Sequence, residues 1–179
     1  MLIRDAEPAD ALAVAEVHVR SWQVGYRGLI ADAALDRLDP HERARRYTFG
    51  GSAQRRPVTF VAVEADRIRG FATVTAADPA ASCGELGALY VDPAAWGHGI
   101  GGRLLEDAHE RLTTAGFPRA VLWLLAGNAR AERLYRAHGW TPDDLTRTRT
   151  VWDIPIEEAR FSRAFPTPRA ARRRIPSAG

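Results

Sequence analysis

The sequence predicts one α/β domain, and three features carry that prediction. Short β-branched or apolar runs at 58–63, 68–75, 85–91 and 119–126 read as strands. Between the last two runs, Leu104, Leu105, Ala108 and Leu112 recur at helical spacing, so 85–126 reads as a strand–helix–strand crossover, right-handed as a rule. The chain has 179 residues, 46% of them hydrophobic, which suits a single core.

In chain order, residues 2–6 (LIRDA) read as a first strand. Pro8 opens a helix in which Leu12, Ala15, Val19 and Trp22 mark the apolar stripe, and Gly25 and Gly28 break it. Leu29 to Leu38 and His41 to Tyr47 read as two short helices, followed by a loop at Gly50, Gly51 and Ser52. Glu64 to Arg67 is short enough for a hairpin turn between the next two strands. A loop at Pro79 to Gly84 leads to the strand at 85–91, which Asp92-Pro93 stops; Gly116 sits where a glycine closes a helix. Residues 119–126 (RAVLWLLA) are almost wholly apolar, as a strand covered on both faces should be. Asn128 to His138 reads as a short helix ended by Gly139. Trp140 opens a strand or loop, Thr146 to Thr150 reads as a polar turn, and Ile156 to Phe165 as a last strand. Pro166 and Pro168 mark the end of a domain spanning 1–165, with 166–179 as a basic tail.

Composition narrows the function classes. All 25 basic residues are arginines, and four of them (Arg169, Arg172, Arg173, Arg174) fall in the acid-free tail; subtracting those four from the formal +3 leaves −1 for residues 1–165. The body of the domain is therefore near neutral, which argues against nucleic acid as its partner. Cys83 is the sole cysteine, so no intramolecular disulfide forms, and a reducing, cytoplasmic setting is the default expectation. No apolar run reaches the roughly 20 residues of a membrane span, and no apolar leader follows the N-terminus. A homodimer is compatible with the sequence.

The sharpest local feature is Trp96-Gly97-His98-Gly99-Ile100-Gly101-Gly102, set between a strand and an amphipathic helix. Helix N-termini carry unpaired N–H groups and partial positive charge, and glycines let those amides approach an anion closely. It is not a phosphate loop of the Gly-Lys-Ser/Thr type. Nor is it a convincing dinucleotide fingerprint, which closes a first strand and wants an acidic residue near the end of the next one, whereas the next strand here ends LLAGN.

The segment LYVDPAAWGHGIGGRLL resembles the signature of the GNAT superfamily of N-acetyltransferases, Gln/Arg-x-x-Gly-x-Gly/Ala, with Gly99 and Gly101 at the two small positions and Trp96 where the family carries Gln or Arg. NARAERLYRAHGW is similar to a second family segment, with Asn128, Tyr135, Gly139 and Trp140 matching. The resemblance implies a mixed, mostly antiparallel sheet with splayed central parallel strands and flanking helices, and acetyl-CoA as co-substrate without a metal.

It also implies roles. Amides of Gly97, His98, Gly99, Gly101 and Gly102 would hold the pyrophosphate; Leu89, Tyr90 and Val91 would offer backbone to the pantetheine arm, as would Asn128 from its side chain, which can also cap its helix. Acyl transfer to an amine needs a neutral amine, a stabilised oxyanion and a proton for the leaving thiolate. Tyr135 is the candidate acid and Glu85 the candidate base. Trp22, Tyr26 and Arg27 are the candidate acceptor contacts. The expected acceptor is the amine of a small molecule or peptide N-terminus. A non-catalytic acyl-CoA sensor on the same fold is the rival reading. His18, His109 and His138 have no metal-ligand spacing and read as structural or surface residues.

Overall fold

The computed structural model describes residues 1–50, 57–77 and 82–166. Gly51, Ser52, the first half of the expected loop at 79–84 and all of the tail beyond Pro166 lie outside the described residues.

Seven strands form one sheet in the order β1-β2-β3-β4-β5-β7-β6. They are β1 (Leu2–Asp5), β2 (Val58–Glu64), β3 (Arg67–Ala76), β4 (Gly84–Val91), β5 (Arg119–Leu125), β6 (Thr141–Val151) and β7 (Ile154–Ala164). Every neighbouring pair is antiparallel except β4 and β5, which run parallel. The expected hairpin joins β2 to β3 through Ala65 and Asp66, both at positive φ, as a two-residue turn between twisted strands requires.

Strand alternation divides the core into two layers. From β2, Phe60 and Ala62 face α4 (Ile100–Thr114), where they meet Leu104, Leu105, Ala108 and Leu112; α5 (Ala129–Ala137) adds Tyr135 to the same layer. Val61 and Phe71 face the other way and meet Val14 and Val17 of α1 (Ala11–Gly25). Trp22 of α1 packs with Leu35 of α2 (Asp32–Leu35), Leu125 and Ile156. α3 (Pro40–Ala44) completes this face, its N-terminus capped by Asp39, whose carboxylate accepts from the His41 amide at 2.8 Å.

Three expectations need correction. Leu12 is 38% exposed; the inward stripe of α1 runs through Val14, Ala15, Val17, His18, Val19, Ser21 and Trp22. The second and third helices are four and five residues long, shorter than expected. Thr146 to Thr150 is not a turn but part of the edge strand β6, and the turn falls at Trp152 and Asp153. Polarity misled there: an edge strand has a solvent face, and alternating Thr and Arg satisfy it while keeping β-branched positions.

Candidate active site

β4 and β5 stay paired for only three residues, Gly84↔Ala120, Glu85↔Val121 and Leu86↔Leu122, and then diverge. A bulge drives them apart. Against β3, Leu86 pairs with Val74 and Ala88 with Thr73, so Gly87 is the extra residue and the strand bends there. The far end of β4 is pinned by two donors on the Val91 carbonyl, Ser21 Oγ at 2.9 Å and Trp96 Nε1 at 2.8 Å. A cavity of about 750 Å³ fills the gap and runs from the glycine bend to the sheet's other face.

At one end, Gly97 (φ 82°) and Gly99 (φ 76°) turn the chain through left-handed conformations and deliver it into α4 at Ile100. Gly97, Gly99, Gly101 and Gly102 line the cavity; His98 does not, and its side chain is exposed. Asp92, buried, fixes the approach to this bend: its carboxylate accepts from the Ala94 amide at 3.1 Å and pairs with Arg20 of α1 at 2.7 Å. Gly101 has a packing reason as well, since a Cβ there would lie 3.3 Å from Leu134 of α5.

Trp96 does not reach toward the cradle as Gln or Arg could. Its indole N–H is committed to Val91, and its ring carries the guanidinium of Arg130 at 3.4 Å from the centroid. Arg130 and Arg133, both from α5, line the cavity and were not foreseen from the sequence. Only the packing of α5 against the bend brings Arg130 to residue 96.

Midway along the cavity, the described backbone groups differ in availability. The Asp92 amide donates to Arg69 of β3 at 2.7 Å, so ladder alternation turns Tyr90 toward β3 and turns Leu89 and Val91 toward the gap. The Val91 carbonyl is already doubly bonded, which leaves the Leu89 backbone and the Val91 N–H facing the opening. Asn128 caps α5, accepting from the Ala131 amide at 3.1 Å, and lines the cavity with Tyr135. Burial raises the Tyr135 phenol well above its ordinary range, so it keeps its proton at neutral pH.

The opposite end is walled by Trp22, Tyr26, Leu125 and Ile156. Arg27, expected here, is instead exposed and pairs with Asp32 at 3.0 Å and with Asp36; it clasps α2 and does not line the cavity. Glu85 does not line the cavity either. It sits in the paired part of β4, where burial raises its carboxyl while Arg147 and Arg149 oppose the shift. The carboxylate that does line the cavity is Glu158 of β7, 4% exposed, whose Oε2 accepts from Arg147 Nε at 2.7 Å and Arg149 Nε at 2.9 Å. A sequence signal existed: Glu158 falls in phase with Ile154 and Ile156, a charge on an apolar strand face.

The histidines divide by role. His18 is buried, stacked on Tyr90 with centroids 4.2 Å apart, and its Nδ1 meets the Tyr47 hydroxyl at 2.7 Å. His109 accepts from Trp140 Nε1 at 2.9 Å, and His138 Nδ1 meets the Leu134 carbonyl at 2.8 Å. Among the described residues no group of three or more His, Cys, Asp or Glu side chains could hold a metal, and no helix is long and apolar enough to cross a membrane. Burial raises the Cys83 thiol, as expected of an unreactive cysteine.

Comparison with known proteins gives the geometry a lineage. A mycothiol acetyltransferase of Beutenbergia cavernae is 42% identical over 64 residues, 36% of this chain and 22% of that protein. The chain spans well under half the length of the curated relatives it matches. The PaiA N-acetyltransferase of Thermoplasma acidophilum, solved in complex with coenzyme A, superposes with TM-score 0.67 at 20% identity, covering 88% of this chain and 96% of that one. A GCN5-related N-acetyltransferase of Rhodopseudomonas palustris gives TM-score 0.71 at 17% identity over 92% of this chain and 95% of that one. The profile of the Acetyltransferase (GNAT) family matches residues 18–140, a span that holds the bend, the splayed strands and Tyr135. The chain belongs to the GNAT family of acetyltransferases.

Proposed function

We propose that the protein moves an acetyl group from acetyl-CoA to an amine by direct attack, with both substrates bound together. The observation that carries this reading is the single cavity joining the glycine bend to the aromatic wall at Trp22 and Tyr26 through the gap between β4 and β5. A cofactor arm can pair with the opened strand edge while an acceptor enters from the other face.

The chain's own groups divide the work. Amides of the bend, at Gly97, His98, Gly99, Gly101 and Gly102, receive the pyrophosphate, and Arg130, seated on Trp96, adds the positive charge that residue 96 does not supply. Leu89, the Val91 N–H and Asn128 hold the pantetheine arm. Tyr90 contributes its ring rather than its amide, as a wall of the cavity. Tyr135 holds a proton in a buried site and gives it to the sulfur as the carbon–sulfur bond breaks and the carbon–nitrogen bond forms. Glu158 meets the amine directly, and Glu85 takes the amine proton through water, its raised affinity for a proton suiting the task. Trp22 and Tyr26 contact the acceptor, which is a small molecule or a peptide N-terminus.

Calorimetry with coenzyme A tests the foundation: saturable one-to-one binding is expected, and a flat titration overturns the reading. Thiol release from acetyl-CoA in the presence of an amine panel tests transfer. Tight binding with no release across the panel would make the protein a sensor and not an enzyme of this kind.

A further inference from the structure

The acceptor end of the cavity combines an apolar wall with a guanidinium tethered at one nitrogen. β6 and β7 are in register, with Arg147 opposite Glu158 and Arg149 opposite Ile156, so these four side chains share one face of the sheet. Arg147 turns along that face and stacks on Trp123, 4.0 Å from the ring centroid. Arg149 lines the cavity. Only its Nε is engaged, on Glu158 Oε2 at 2.9 Å; its two terminal nitrogens have no partner among the described residues. Glu158 is 4% exposed and anchors Arg149 through Nε, while the rest of that guanidinium, on a side chain 46% exposed, stays open to a ligand.

This arrangement discriminates between amines. Glu158 already accepts from two guanidiniums on one oxygen, so a second ammonium on the acceptor would find no free counter-charge there and would meet Arg149 instead. An anionic group on the acceptor would complete the hydrogen bonding of Arg149 in the two-pronged way that suits a planar carboxylate. The attacking nitrogen would then lie beside Glu158, because Glu158 and Arg149 are themselves in contact. That spacing places amine and anion a few bonds apart on the same molecule, with an apolar substituent against Trp22, Leu125 and Ile156.

Resting on the proposed transfer reaction, we infer that the acceptor is an amine bearing a nearby carboxylate and an apolar side group, selected by Arg149 as Glu158 holds it. Arg149 is thereby the specificity-determining residue of the acceptor site.

The test compares four acceptors that share one apolar side chain: an α-amino acid, its carboxamide, the decarboxylated amine and the aminophosphonate, with spermidine as a polycationic control. Thiol release from acetyl-CoA gives kcat/KM for each. The amino acid is expected to exceed the carboxamide, the plain amine and spermidine by about tenfold or more, the worth of one charge-assisted pair. Arg149→Met is expected to erase that preference, chiefly through acceptor KM, while coenzyme A affinity measured by calorimetry stays put. Arg149→Lys keeps the charge without the fork and is expected to retain part of the preference, which shows that loss in the Met variant is not misfolding. Equal or better use of the carboxamide, the amine or spermidine overturns the inference. So does a preference for the phosphonate, a preference that survives Arg149→Met, or no release with any carboxylate-bearing amine by protein that binds coenzyme A. Failure of wild-type protein to bind coenzyme A sinks the transfer reading itself, and calorimetry reports it separately.

Discussion

At position 130 an arginine takes over a task that residue 96 leaves undone. Trp96 spends its indole N–H on the Val91 carbonyl and offers its ring as a seat for the Arg130 guanidinium. If that seat positions Arg130 for a phosphate, Arg130→Met and Trp96→Leu should each weaken coenzyme A binding about fivefold, near 1 kcal/mol for a partly exposed cation–π pair. The double variant should be no weaker than either single one, because both remove the same positioned charge. Calorimetry on the three variants checks this, and additive losses would count against it. Tyr135 supports a different expectation. Tyr135→Phe keeps the ring in its buried seat and removes only the proton, so turnover should fall by about 10²-fold with coenzyme A affinity nearly unchanged. Pre-steady-state thiol release, which isolates the chemical step, is the measurement, and an unaltered rate would remove Tyr135 from the acid role.

Among the elements, α4 carries both the core and the cradle. Leu104, Leu105, Ala108 and Leu112 bury its stripe against the sheet, and its first turn forms the bend's far side. Leu112 also determines why β4 begins with glycine: a Cβ on Gly84 would lie 2.5 Å from Leu112 Cδ2. Gly84→Ala should therefore destabilise the protein by about 1–3 kcal/mol through overpacking, and Leu112→Ala alone by about 2–5 kcal/mol through cavity formation. Together they should cost less than their sum, because each change makes room for the other. Urea titration of the two single variants and the double variant reads the coupling directly. The β2 run and the stripe on α4 were legible in the residue pattern, but which β2 residues face which layer was not, because Phe60, Val61 and Ala62 are all apolar and all buried. The strand at 146–150 was not, because an edge strand shows its polar face to solvent and mimics a turn in composition.

The whole molecule is pinned across its layers by a few titratable groups. His109 on α4 accepts from Trp140 Nε1, and burial, with Arg163 and His138 nearby, pulls its pKa from an ordinary 6.5 down to about 4. A histidine kept neutral by the fold adds stability above the unfolded value and loses it as pH falls through the folded one. Stability should thus drop between pH 6.5 and about 4, by about 1–2 kcal/mol once partial solvation of the ring is allowed for. His109→Gln, which keeps an acceptor for Trp140, should flatten that part of the curve in chemical denaturation at stepped pH. Glu85 acts in the opposite sense. Its carboxyl is raised by burial, so the folded state is penalised while the group is ionised, and the penalty lifts as pH falls toward the ordinary carboxylate range. Glu85→Gln should stabilise the protein at neutral pH and lose that advantage in acid.

The residue pattern by itself determined what depends on neighbours along the chain: the strand–helix–strand order, the glycines that bend into α4, the Asn128 cap and the likeness to a family of acyltransferases. The first three follow from periodicity, φ preference and local hydrogen bonding, and the likeness from two short motifs, all of which a short window contains. Only the tertiary structure decided what crosses between elements. The Gly87 bulge opens the sheet, α5 lays Arg130 on Trp96, α2 draws Arg27 away from the cavity, and the β6–β7 register sets Arg149 on Glu158. Long side chains reach several ångströms from their own backbone, so their partners are set by how elements pack, and no local pattern records that.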